Sequence, residues 1–419
     1  MSATLVAPAD TANDASRADA VAQEIAARFA AAPSLVPFDD RTVAFTAALS
    51  RALAGELSLR RHGEVQALAF WLRPGEVRRL AQHFAGTEGP ESVLVPRGTV
   101  FHVPPSNVDT LFVYSWVLAL LVGNRSIVRL SQRLGGVGAQ VAGIIERVLA
   151  EPVHADVAAN TAFVRYGHDA ERTAALSALC DVRVLWGGDT AVRTLRAIPL
   201  PPGAIELVFP DRYSAAALNT AAYEALAPEE RDALADRFAN DAFLFDQHAC
   251  ASPRLVAWIG DTRAMNSASA DFWPRVVRAV DRRGITIDAG TALAKLTVAA
   301  QCAADEAVAH VNRVSPEVHV VRLDGLDGFR RVAPGGGLFH EVALPALTAL
   351  APYLVRRDQT LTAFGFGHDA LRAAARAFNG RGIDRIVPVG QALAFHRVWD
   401  GYDLLQQFTR RMAVPLAGW

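Results

Sequence analysis

A chain of 419 residues, 51% apolar and 20% charged, has enough apolar side chains to build a core, which excludes disorder over its whole length. At about 100–200 residues per domain, the length predicts two or three domains. The 42 basic and 43 acidic side chains nearly cancel, which argues against a nucleic-acid or polybasic membrane-binding protein. The basic set contains a single lysine, Lys295, so lysine-dependent chemistry has one candidate.

Residues 1 to about 15 read as a solvated tail with no apolar block, not a secretory signal. Ser16 is placed to cap a helix through AVAQEIAARFA, with Asp19 at its third position. Apolar residues recur at three and four (Val43, Phe45, Leu49, Leu53, then Leu68, Phe70, Trp71, Leu80), which predicts helix over 38–85. Near Pro90 the pattern changes. ESVLVPRGTVFHV gives two short strands split by Pro96–Gly98, followed by a buried helix over 110–122 that is too short to span a bilayer. Strands are predicted at SIVRLS (126–131), AFVRYG, DVRVLWGG (181–188) and IELVF (205–209), separated by helices over 138–150, from Asp169, and near 190–197. This alternation predicts an α/β fold with a parallel sheet covered on both faces, which binds ligands at the carboxyl ends of its strands. Helices are expected over 216–226 and 228–243, with Pro228 in the first turn of the second. A loop, an apolar strand in SPRLVAWIG and a second alternating region to about 365 follow. Pro334–Gly337 marks a turn, and a strand-like IVPVG lies near the end.

Three cysteines, Cys180, Cys250 and Cys302, are too few for a disulfide framework, and no spacing suggests a zinc site. A reduced, cytoplasmic protein without a metal is expected. Cys250 lies in DQHACASP, at a junction between a helix and an apolar strand, where its sulfur can reach a cleft. A nucleophilic cysteine needs thiolate character and access. His248 is two residues away and can raise the thiolate fraction, although such neighbours need not face each other. The alternative is a small buried hydrophobe, the reading taken for Cys180 before a core strand and Cys302 in an Ala-rich helix. No GxSxG pattern competes.

Asn107, in VPPSNV, closes a strand and opens the buried helix. Its amide suits an oxyanion, while a helix cap by Ser106 or Asn107 accounts for the same residues. Gly187-Gly188-Asp189-Thr190 joins a strand to a helix and offers backbone N–H groups to a phosphate. Gly136-Val137-Gly138 is a lesser candidate, and neither matches GxGxxG. Arg129 and Ser131, ending SIVRLS, are placed to hold ribose or phosphate, arginine suiting a 2′-phosphate. Plain surface charge is the alternative for Arg129.

Taken in order, VFHVPPSNVDTL, LLVGNRSIVRLSQR, VLWGGDTAV, FDQHACASPRLV, and FNGRGIDRIVPVGQAL with WDGYDLL resemble the LuxC-type acyl-CoA reductases, fatty acid reductases of the aldehyde dehydrogenase superfamily. The resemblance covers about residues 90–412. It implies an aldehyde dehydrogenase-like fold: a helical N-terminal region (1–88), a parallel-sheet nicotinamide cofactor domain (89–243), an α/β catalytic cysteine domain (244–385), and a segment returning to the cofactor domain (386–419). It implies reduction of an acyl thioester, acyl-CoA or carrier-bound, to the aldehyde by NADPH or NADH through an acyl-cysteine. Cys250 is then the nucleophile with His248 beside it, and Asn107 the oxyanion donor. Arg129 and Ser131 would lie near the cofactor ribose, and Gly187, Gly188 and Thr190 at its pyrophosphate. A homo-oligomer and an acyl-activating synthetase as partner are further implications.

Two departures are informative. Hydrolysing aldehyde dehydrogenases use a glutamate base in a Glu-Leu-Gly-Gly-Lys block, and the comparable FPDRYSAAAL has none, Glu206 lying too early. A thioester reductase needs no base to activate water. His248 stands where many relatives have glutamine. Phe112, Trp116, Phe243 and Phe245 are candidates for an acyl tunnel or for core packing. Alternatives are a CoA-acylating aldehyde dehydrogenase running oxidatively and a non-redox subunit that binds and transfers acyl groups.

Overall fold

A computed structural model describes residues 14–105, 110–132, 134–305 and 308–415, with side chains from residue 18 onward. The chain forms two compact units, Met1–Pro210 with Phe395–Trp419, and Asp211–Ala394.

In the first unit, β1 (Ser92–Pro96) precedes a parallel sheet of β2 (Thr99–Val103), β3 (Arg125–Ser131), β4 (Thr161–Tyr166), β5 (Val182–Trp186) and β6 (Ile205–Phe209), ordered β4-β3-β2-β5-β6. The chain builds outward from β2 to β4, then crosses back to place β5 on the other side. This reversal beside β2 opens a crevice at the carboxyl ends of the strands. All of β5 is buried, as expected for a strand covered on both faces. One face packs on the helices Leu111–Leu121 and Gly136–Leu149 and on the N-terminal helical region. The other packs on the helices Asp14–Ala31 and Ala170–Ser177. The helix Leu111–Leu121 is apolar all round because it is buried all round. The first described helix begins at Asp14, so Ser16 lies inside it and not at its cap.

The second unit holds β7 (Tyr213–Asn219), β8 (Pro253–Ile259), β9 (Val308–Arg313), β10 (His319–Leu323), β11 (Leu338–Leu344), β12 (Asp358–Phe364) and β13 (Arg385–Pro388). Their order is β13-β12-β7-β8-β11-β10-β9. All neighbours are parallel except the edge pair β9–β10. The expected helix over 216–226 is a correction. YSAAALN is β7, and only Thr220–Glu224 is helical. Alanine favours helix intrinsically, but here it is paired on both sides, to β8 and β12, in a strand where small residues pack close. Those ladders also place 211–243 in the second unit, whereas the sequence order suggests a division after 243. The helix Pro228–Phe243 packs on the second sheet with the helix Thr262–Arg282. From Phe395 the chain returns to the first unit, with a short hairpin of β14 (Val398–Trp399) and β15 (Tyr402–Asp403) and then β16 (Thr409–Ala413), antiparallel to β1.

Asn379 ends a helix in the left-handed conformation. Asp384 pairs with Arg212 and Arg356. The buried Asp241 accepts the N–H groups of Gly390 and Ala392.

Candidate functional site

After the helix Pro228–Phe243 the chain makes successive turns, with the N–H of Asp246 donating to Phe243 O, that of His248 to Phe245 O (2.7 Å), and that of Ser252 to Ala249 O (3.0 Å). Asp246 and Gln247 sit at φ 50° and 64°. Two consecutive non-glycine residues in the left-handed region are strained and persist only where their surroundings impose it. Gln247 shows how. Its Oε1 accepts the N–H groups of Gly337 (3.0 Å) and Leu338 (3.1 Å), and its Nε2 donates to Pro253 O (3.1 Å) and Leu338 O (3.0 Å). One side chain thereby serves the backbone at the start of both β8 and β11.

The loop rests on Gly335–Gly337, whose φ values are 79°, 63° and 81°. Gly336 N–H donates to Asp246 O (2.8 Å). A Cβ on Gly337 would stand 2.0 Å from Glu317 O, so no side chain fits there, and one on Gly335 would stand 2.4 Å from the His248 ring, which would have to move. Lys295, buried, ties this floor down by donating from Nζ to Pro316 O (2.6 Å) and Gly336 O (2.7 Å), and burial lowers its ammonium to about 8.

Cys250 is half-buried on this loop. Its carbonyl accepts Ser214 Oγ (2.7 Å), and Ser214 Oγ accepts Thr360 N–H (3.2 Å). His248 is exposed, its ring over Gly335. The other two sulfurs are buried. Burial pushes the Cys180 thiol up to about 12 and raises that of Cys302, which lies 3.8 Å from His340 Nε2. Access therefore singles out Cys250. Burial likewise raises the Asp246 carboxyl, while His248 lowers it.

In the first unit, Gly188 stands at the N-cap of the helix Asp189–Arg196 without a side-chain cap, just beyond β5. Gly187 has φ 155°, Asp189 and Thr190 are exposed, and a Cβ on Gly187 would meet only Ala191 Cβ at 3.6 Å. The helix Gly136–Leu149, beyond β3, also begins without a side-chain cap, at Gly135. Two uncapped helix starts at the carboxyl ends of a parallel sheet, beside its reversal, fit the pyrophosphate of a dinucleotide. Arg129 donates from Nη2 to Gly167 O (2.7 Å) and lies over the Tyr166 ring at 5.0 Å, so the guanidinium is anchored at the end of β4. Ser131 ends β3. Asn107 lies outside the described residues. Glu206 is held by Arg183 and Arg196 (2.9 Å), an ion-paired strand residue. Phe112, Trp116 and Phe243 are buried in the cores and Phe245 is partly buried, so the first three pack the fold. No helix among the described residues is long and apolar enough to cross a membrane.

The fold is that of the aldehyde dehydrogenases. A Thermus thermophilus 1-pyrroline-5-carboxylate dehydrogenase superposes with a TM-score of 0.65 over 95% of this chain and 85% of its own, at 17% identity. A lactaldehyde dehydrogenase gives 0.65 over 98% and 92%, at 14% identity. A Bradyrhizobium japonicum proline utilization A protein gives 0.65 over 97% of this chain and 45% of its own, at 16% identity. Within that fold, residues 75–270 match the acyl-CoA reductase (LuxC) family, which bears out the resemblance read from the sequence over the part of it that the match covers, up to residue 270. A long-chain acyl-protein thioester reductase of Aliivibrio fischeri is 26% identical over 205 residues, 48% of this chain and 37% of that relative's length.

Sequence reasoning missed the supports of the cysteine loop: Gln247, the role of the Gly335–Gly337 turn, Lys295 as its tie, and Arg254. The single lysine and the glycine triplet were visible signals. What they hold was not, because Lys295 reaches Gly336 and Gln247 reaches Leu338, 41 and 91 residues away.

Proposed function

We propose that the protein reduces an acyl thioester to the aldehyde through an acyl-Cys250 intermediate. The observation that carries this reading is the cysteine loop, whose one accessible sulfur is held by a braced, strained backbone. The LuxC match over 75–270 supplies the thioester class. The Cys250 thiolate attacks the thioester carbonyl, and the departing thiol, coenzyme A or a carrier thiol, takes a proton. The Cys250 N–H donates to the oxyanion, and the family resemblance assigns Asn107 the same role. Gly187, Gly188 and Thr190 would hold the cofactor pyrophosphate, with Arg129 and Ser131 toward its ribose. The nicotinamide cofactor held there would supply the hydride needed to bring the acyl group to the aldehyde level, with release from Cys250. FPDRYSAAAL carries no glutamate and Glu206 is committed to two arginines, so the glutamate base that hydrolysing aldehyde dehydrogenases use has no counterpart in that stretch. Arg129 makes NADPH the first cofactor to try. An acyl-activating synthetase partner and a homo-oligomer belong to the same reading.

The test is absorbance at the nicotinamide band with NADPH or NADH and acyl-CoAs of increasing length. Oxidation that requires Cys250 is expected. Wild-type rates in Cys250→Ala would refute the mechanism. Covalent acylation of Cys250 without oxidation would instead favour an acyl-transfer subunit.

A further inference from the structure

Arg254, the second residue of β8, is 5% exposed. Its Nη2 donates to Gln247 O (2.9 Å) and Ala249 O (3.1 Å), the backbone that leads into Cys250. Its Nε and Nη1 are buried and have no hydrogen-bond partner. Among the described residues no carboxylate lies within 4 Å of it. Its guanidinium lies over the Tyr213 ring on β7, 5.8 Å away. A buried guanidinium is normally neutralised by a carboxylate, because an unpaired buried charge is costly. Nothing in the architecture of β8 requires a cation at this position, where an apolar residue would complete a fully buried strand.

We propose that Arg254 is the positioning residue and charge partner of Cys250: its guanidinium locks the backbone before the sulfur and stabilises the thiolate across that short span. This rests on the reading of Cys250 as the nucleophile. Burial lowers the Arg254 guanidinium from its ordinary value, with Arg357 adding to the shift, and Tyr213, Cys250 and Asp211 oppose it. Other ionisable groups around the loop are His248 and Asp246 within it, Asp288 at the start of the helix Ala289–Ala303, and Lys295 on that helix, which holds Gly336 beneath the loop. Within the loop itself, His248 is the one whose protonation would add to the effect of Arg254.

The experiment is the pH profile of Cys250 alkylation by iodoacetamide, read by mass spectrometry of the Cys250 peptide. Wild type is expected to show a midpoint below the ordinary thiol value of about 8.5. Arg254→Met should raise it by about one unit or more. Arg254→Lys, which keeps the charge and loses the fork, should restore the midpoint in part while kcat stays low. Equal midpoints in wild type and folded Arg254→Met would overturn the proposal. So would a wild-type midpoint at about 8.5 or above, which needs no variant and decides the matter if Arg254→Met does not fold. Thioester reduction surviving in Cys250→Ala would refute the function proposed above and leave the alkylation result standing, so the two failures are separable.

Discussion

Replacing Gln247 by Leu tests whether the cysteine loop is held in place from below. The substitution keeps the volume and removes every polar atom. Four buried backbone groups lose their partner: the N–H groups of Gly337 and Leu338 and the carbonyls of Pro253 and Leu338. At about 1 kcal/mol for each hydrogen bond, the loss is about 4 kcal/mol, and groups left dry and unsatisfied push it upward. Part of this is recovered if Asp246 and position 247 leave the left-handed region, but that relaxation moves the Cys250 backbone. Stability and activity should therefore fall together. Urea unfolding followed by fluorescence, with Trp258 and Trp273 in the same unit as reporters, measures the first. Cofactor oxidation measures the second. Hydrogen exchange at Gly337 and Leu338 reads the broken bonds directly. A loss under about 1 kcal/mol with unchanged exchange at both amides would refute the claim that this side chain holds the loop.

Glu341, fully buried on β11, accepts from the indole N–H groups of Trp258 and Trp273 (both 3.0 Å), from Ser269 and from Arg322. Glu341→Ala strands a partly buried arginine and two indoles, and should cost about 3–5 kcal/mol in unfolding experiments. A loss below 1 kcal/mol would contradict it. Burial lowers His102 to about 3 and His340 to about 4. The unfolded chain takes up both protons below about 6.5, so the unfolded state holds more protons in that window. Stability from this source is complete above pH 6.5 and lost as pH falls toward 4, by about 2 kcal/mol per histidine at pH 5. Urea midpoints at pH 7 and 5 check this, and the slope should shrink in His340→Leu. Gly335→Ala adds a methyl against His248 at a φ of 79°. It should reduce kcat more than it reduces stability, and unchanged kcat would show the contact to be slack. Gly188→Asp should raise KM for the nicotinamide nucleotide and leave that for the thioester alone. Equal changes in both would place the nucleotide elsewhere.

The alternation of short apolar strands and helices between 92 and 209 determined the first sheet, because a strand buried on both faces needs a continuous apolar run and a helix on either side. The sequence also determined which cysteine to examine, since DQHACASP places Cys250 at a helix–strand junction, where a sulfur can stay accessible. Only tertiary structure decided that YSAAALN is a strand, because its helix-favouring alanines are overruled by ladders to β8 and β12, whose residues lie far along the chain. Only tertiary structure revealed what holds Cys250. Gln247 reaches Leu338, Lys295 reaches Gly336, and Arg254 folds back onto Ala249. Side-chain hydrogen bonds to backbone atoms leave no periodicity in a sequence. Those that bridge β8 and β11 exist only once the parallel sheet has brought the two strands side by side.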